Sequence, residues 1–73
     1  MAVNISELVL RHRKKAQLSR VELGLLAGVG KTVIYDLEHG KLSLRLDILL
    51  KILAALNITV SFDSPLLRQE RSQ

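Results

Sequence analysis

The stretch Leu18-Ser19-Arg20-Val21-Glu22-Leu23-Gly24-Leu25-Leu26-Ala27-Gly28-Val29-Gly30-Lys31-Thr32-Val33-Ile34-Tyr35-Asp36-Leu37-Glu38-His39-Gly40 decides the fold. Ser19-Arg20-Val21-Glu22 has the spacing of a capping box, in which a Ser hydroxyl accepts from the amide three residues on and the Glu reaches back. Leu23, Leu26 and Ala27 continue an apolar face from that start. Gly28 then stops the helix, because glycine takes the left-handed conformation without a Cβ clash. Val29-Gly30 turns the chain, and a second helix is expected over residues 31–39, closed by Gly40.

This second helix has two chemically distinct sides. At about 100° per residue, Val33, Ile34 and Leu37 share one side and make a core stripe. Lys31, Thr32, Tyr35, Asp36 and His39 share the other. Hydrogen-bonding groups of mixed length near a helix N-terminus suit a major-groove reader, which enters the groove by that end. An ordinary solvated helix face is the alternative. Two helices separated by about three residues that include glycine have helix-turn-helix spacing.

Working outward, residues 5–17 read as a preceding helix. Asn4-Ile5-Ser6-Glu7 repeats the capping-box spacing, Ile5, Leu8, Val9 and Ala16 supply an inward face, and Lys14 and Lys15 suit the negative end of the helix dipole. Residues 46–56 read as a fourth helix in which Asp47 and Lys51 form a narrow polar strip and nearly everything else is apolar, so it is expected to be covered on two sides. Asn57 ends it. Residues 58–63 then alternate strictly, the signal of a half-buried strand with Ile58, Val60 and Phe62 on one face. A lone strand cannot satisfy its own backbone, and no second strand is legible. The expected partner is therefore the same strand of another copy. Residues 1–64 are expected to form one domain, and residues 65–73, beginning at Pro65, a flexible tail.

Composition narrows the possible functions. The chain has 73 residues and a mass of 8.2 kDa, which suits one small domain. It is 48% hydrophobic, more than a lone domain of this size readily buries, since below about 70–80 residues a single core is marginal. A core shared between two copies resolves that surplus. The absence of Cys excludes disulfides, thiolate nucleophiles and Cys-ligated zinc, and fits a reducing cytoplasm. The longest uncharged run, residues 52–62, is eleven residues long, against the roughly 20 a membrane span requires. No signal-peptide pattern opens the chain, so a cytoplasmic protein without membrane contact is expected.

Charge is unevenly spread. Arg11, Arg13, Lys14, Lys15 and Arg20 stand against Glu7 in residues 1–20, whereas six cations balance six anions in the remainder. A basic segment on a neutral body fits either a polyanion partner or a solvated helix end. Gly30-Lys31-Thr32 has the ending of a phosphate-binding P-loop, but the required earlier glycine would fall at Leu25, and a helix rather than a strand precedes it. His12 and His39 lack carboxylates at metal-ligand spacing, and no nucleophile–base grouping is present. The expectation is no enzyme, no metal and no cofactor.

Leu18-Ser19-Arg20-Val21-Glu22-Leu23, Ala27-Gly28-Val29, and Ile34 with Leu37-Glu38-His39-Gly40-Lys41 together resemble the Xre (Cro/C1-type) helix-turn-helix family. Arg45-Leu46-Asp47, Leu49-Leu50-Lys51-Ile52-Leu53, Ala55-Leu56-Asn57 and the closing alternation are similar to HipB-like antitoxins, over about residues 5–63 in all. The resemblance implies an all-α, four-helix lambda-repressor-like bundle, here with a C-terminal β-strand paired across a homodimer. It implies a sequence-specific repressor of double-stranded operator DNA that autoregulates its operon, with a HipA-like kinase toxin as partner. The alternatives are a stand-alone phage-type regulator, or an interaction module that neutralises a toxin without binding DNA.

Roles follow by position. The resemblance puts Lys31, Thr32, Tyr35 and Asp36 at base-reading positions. Lys31 suits guanine, Thr32 a base edge or thymine methyl, and Asp36 cytosine N4. Tyr35 suits a phosphate or a methyl group. Ser19 and Arg20 fall where the family grips phosphate, although Arg20 replaces the usual Gln and is long enough for a guanine edge. Lys41, Ser43 and Arg45 are further phosphate candidates. Gly30 replaces the usual Ser or Thr cap at little cost. Arg13 and Glu38 are implied to form a partly buried ion pair, with DNA contact by Arg13 the alternative.

Overall fold

The computed structural model describes residues 4–67. Four helices follow in order: α1 (Ile5–Lys15), α2 (Arg20–Ala27), α3 (Lys31–Glu38) and α4 (Leu46–Ala55). Helix α3 packs against both α1 and α2, and α2 also packs against α4. Val9, Leu23, Ala27, Ile34, Leu37, Ile52 and Leu53 form one buried core, which draws on all four helices. The stripe read from α3 is accordingly its packing face: Ile34 and Leu37 are fully buried and Val33 is half-buried.

Each helix begins and ends for a local reason. At α1, the Asn4 side chain accepts from the Glu7 amide at 3.0 Å. Glu7 does not complete a box; it lies beside Arg11 one turn on, at 3.8 Å. At α2 the box is closed in both directions: the Glu22 amide donates to Ser19 Oγ at 3.0 Å, and the Ser19 amide donates to the Glu22 carboxylate at 2.8 Å. Hydrogen bonding from Ser19 to the carboxylate, by its backbone amide foremost and its side chain second, holds the Glu22 carboxyl below its ordinary range.

All four helices terminate in the same way. Gln17, Gly28, Gly40 and Asn57 sit in the left-handed region, at φ of 60°, 74°, 90° and 59°. The amide after each one bonds back five residues: Leu18 to Arg13, Val29 to Gly24, Lys41 to Asp36 and Ile58 to Leu53, at 2.8–3.1 Å. This is the Schellman motif, which satisfies helix-end carbonyls and turns the chain sharply. After α2 the turn is so tight that a Cβ on Gly24 would lie 2.6 Å from the Val29 carbonyl oxygen. Three residues therefore suffice to swing α3 across α2.

Three expectations, those for Leu26, for Ala16 and for a strand over residues 58–63, are corrected. Leu26 is 63% exposed and Ala16 is exposed, because α2 turns Leu23, Gly24 and Ala27 inward while Ala16 lies beyond the last helical turn of α1. Residues 58–63 form no strand, and none occurs among the described residues. The reason is the one that makes a lone strand untenable: among the described residues, no second strand lies beside it to pair with. Ile58 still packs half-buried against the core, but Val60 and Phe62 are exposed, Phe62 at 85%. Of the expected tail, residues 65–67 are helical, and residues 68–73 lie outside the described residues.

Candidate nucleic-acid interface

The N-terminal ends of α2 and α3 come together and enclose an open cleft of about 520 Å³, lined by Arg13, Ser19, Arg20, Val21, Lys31, Thr32 and Tyr35. Beneath it lies a charged cluster. The Glu38 side chain is wholly excluded from solvent and accepts from two arginines. Arg13 donates from Nε at 2.6 Å and from Nη2 at 3.1 Å; Arg20 donates from Nε at 2.9 Å. Arg13 also donates through Nη1 to the Leu18 carbonyl at 2.9 Å, which ties α1 to the start of α2. Burial by itself would raise the Glu38 carboxyl, but hydrogen bonds from Arg13 and Arg20, and their charges, outweigh it and hold the group below the usual carboxylate range. Two guanidinium groups share this single carboxylate, so the cluster keeps a net positive charge under the cleft.

The sequence-predicted base readers do not behave alike. Lys31 and Thr32 are exposed at the first turn of α3, whose N-cap Gly30 makes no side-chain cap. Tyr35, 49% exposed, stands one turn further along the same face. It stacks on His39 with ring centroids 3.9 Å apart and planes 20° from parallel. The Arg20 guanidinium carbon lies 5.2 Å from the Tyr35 ring centroid. Asp36 is set back: it is half-buried and sits 3.8 Å from Lys41 Nζ, a cation of the following loop.

The expected phosphate contacts divide in the same way. Ser19 spends its hydroxyl on capping α2, Arg20 is held by Glu38, and Arg45 bonds Asp47 at 3.0 Å. Lys41 and Ser43 are exposed on the loop after α3. Two features escaped sequence reasoning. The bond between Arg20 and Glu38 spans eighteen positions and leaves no periodic signal. The Tyr35–His39 stack has the i, i+4 spacing that brings helix side chains together, which is a usable signal.

No group of His, Cys, Asp and Glu suited to a metal ion occurs among the described residues, and none of their helices is long and apolar enough to cross a membrane. A comparison with curated proteins gives no match. A helix-turn-helix family model matches residues 9–62, which takes in the core, the cleft, most of α1 and all of α2, α3 and α4. The chain belongs to the helix-turn-helix family of the Xre/Cro/C1 type, whose members are DNA-binding transcription regulators.

Proposed function

We propose that this protein is a homodimeric repressor that reads a two-fold operator through the exposed N-terminal half of α3. The observation that carries the reading is the uncovered row Lys31, Thr32 and Tyr35 beside a cleft with surplus positive charge. Lys31, Thr32 and Tyr35 are the direct base readers in this reading, and Asp36 reads cytosine only on leaving Lys41. Lys41 and Ser43 grip phosphate, joined by Arg45 and by Ser19 through the α2 terminus.

The second copy is supported by the opposite side of the molecule. Leu46, Leu50 and Ala54, spaced at i, i+4 and i+8 along α4, are exposed, as are Val60 and Phe62. A two-fold axis that sets residues 58–63 against themselves would pair the two segments as strands and cover this apolar stripe in one step. Such a dimer presents its two α3 helices to half-sites about 34 Å apart. The antitoxin role, with a HipA-like kinase toxin as partner, is supported by the sequence resemblance; copurification of a kinase-like protein from the native host tests it.

The direct test is Lys31→Glu. Duplex DNA selected from a randomised pool by the wild-type protein should lose binding by about 1–3 kcal/mol or more, as expected for a lost base contact with added repulsion. Thermal stability should stay the same, because Lys31 is exposed. Wild-type affinity should also fall linearly on a log–log plot against salt. Unchanged binding by the variant, or a parallel loss of folding, overturns the base-reading role of this face.

A further inference from the structure

We infer that Arg20 is a positioning residue for the base-reading phenol, and that operator preference at the base facing Tyr35 depends on Arg20 without Arg20 touching that base. The inference rests on the DNA-reading function proposed above and extends it. Three distances carry it. Arg20 Nε is fixed by the buried Glu38 carboxylate at 2.9 Å, its guanidinium carbon lies 5.2 Å from the Tyr35 ring centroid, and the far neighbour His39 stacks on that ring at 3.9 Å. His39 is itself held, since its Nδ1 lies 2.7 Å from the Tyr35 carbonyl oxygen and donates to it.

A half-exposed tyrosine on a helix ordinarily samples several rotamers, and binding must then restrict it at an entropic cost. Here both neighbours are anchored before DNA arrives. The guanidinium is tethered through Nε to a carboxylate that solvent does not reach, and the imidazole to the backbone of α3. A planar cation placed over an aromatic face attracts it, and a stacked ring further restricts it. The phenol is therefore preorganised, and its direction is set from α2 by a residue eighteen positions from the carboxylate that anchors it. A phosphate-gripping arginine would instead weaken binding equally on every sequence when altered.

The sequence supplies its own probe, since Tyr35 is the single tyrosine and there is no tryptophan. Time-resolved fluorescence anisotropy of the full-length protein reads the motion of that ring without DNA. Arg20→Lys keeps the charge but loses the planar fork, and should add a fast local depolarisation absent from the wild type. His39→Ala, which leaves the Glu38 cluster intact, should do the same. On duplexes carrying single-base changes in the wild-type-selected site, Arg20→Lys should flatten preference at one position by about fivefold, the lower end of a base contact. Tyr35→Ala should flatten the same position, and the double variant should do no more than either. The salt slope should not change.

Uniform loss of affinity on all duplexes, with an unaltered anisotropy decay, overturns the inference and leaves Arg20 as a phosphate contact. A loosened ring with unchanged base preference overturns the specificity claim. If the wild-type protein selects no sequence, the DNA-reading function itself fails and takes the specificity claim with it, while the anisotropy decay still decides whether Arg20 holds Tyr35.

Discussion

The two halves of this molecule invert the usual arrangement of charge and oil. Where α1, α2 and α3 meet, three ionic side chains are drawn together, and the Glu38 carboxylate is completely buried. Along α4 and the segment that follows, Leu46, Leu50, Val60, Phe62, Leu66 and Leu67 are exposed. The first region is finished within one chain: among the described residues, no buried side-chain nitrogen or oxygen lacks a hydrogen-bond partner. The second exposes an apolar helix face, followed by residues 58–63, which have no neighbouring strand among the described residues. The helix-turn-helix thus satisfies its buried polar groups within one chain, and the C-terminal part leaves the apolar surface on which the proposed second copy would dock.

The largest expected effect lies in the finished half. Glu38→Ala leaves Arg13 and Arg20 facing one another with no carboxylate between them, and should cost about 3–5 kcal/mol of stability, as for one partner removed from a buried pair. The pH dependence has a definite sign. The folded Glu38 carboxyl titrates below its unfolded value of about 4.3. Its stabilisation is therefore complete above that value and is lost as pH falls through the lower folded one. Urea midpoints between about pH 5 and pH 2 should fall steeply for the wild type and less steeply for Glu38→Gln. A smaller slope should remain from Glu22, which is lowered too. Equal slopes in the two proteins would show that the cluster is not the closed unit described.

Next in size are substitutions in the unfinished half. Val60→Asp and Phe62→Asp change side chains that are 45% and 85% exposed in the single chain. They should leave the fold of a protomer intact, yet each should weaken self-association by roughly 2–3 kcal/mol, the cost of enclosing a charge in an apolar contact. Sedimentation equilibrium measures this directly. Unaltered dimerisation would remove the segment from the interface, and a monomeric wild type would remove the interface.

The same contrast explains what could be read from the sequence. Helix boundaries were legible because caps and stops are local chemistry: Ser19 with Glu22, and glycine at 28 and 40, act within four or five residues. The α3 packing stripe was legible because Ile34 and Leu37 obey one period. The strand over residues 58–63 was legible as a pattern only, since alternation states a preference that an isolated chain has no partner to satisfy. The capture of Arg20 by Glu38 was hidden because it follows from the angle at which α2 crosses α3. Leu26 was misplaced because its period permits two faces, and packing selected Gly24 and Ala27 instead.

The smallest effect concerns how each half stops its helices. Gln17 and Asn57 occupy the same left-handed position, at φ of 60° and 59°, that Gly28 and Gly40 occupy elsewhere. A β-carbon there costs about 1–2 kcal/mol, less for Asn, whose short amide tolerates the conformation. Gln17→Gly should therefore stabilise the protein by about 0.5–1 kcal/mol after the added freedom of the unfolded chain is subtracted. Asn57→Gly should gain less. Gln17 lies between α1 and α2, away from the proposed interface, so its gain belongs to each protomer and should leave the dimer dissociation constant unchanged. Asn57 sets the direction in which residues 58–63 leave α4, through the Ile58 amide bonded to Leu53 at 2.9 Å. Loosening that exit with glycine should weaken self-association even as it relieves strain. A dissociation constant that moves with Gln17→Gly and not with Asn57→Gly would reverse the division between the two halves.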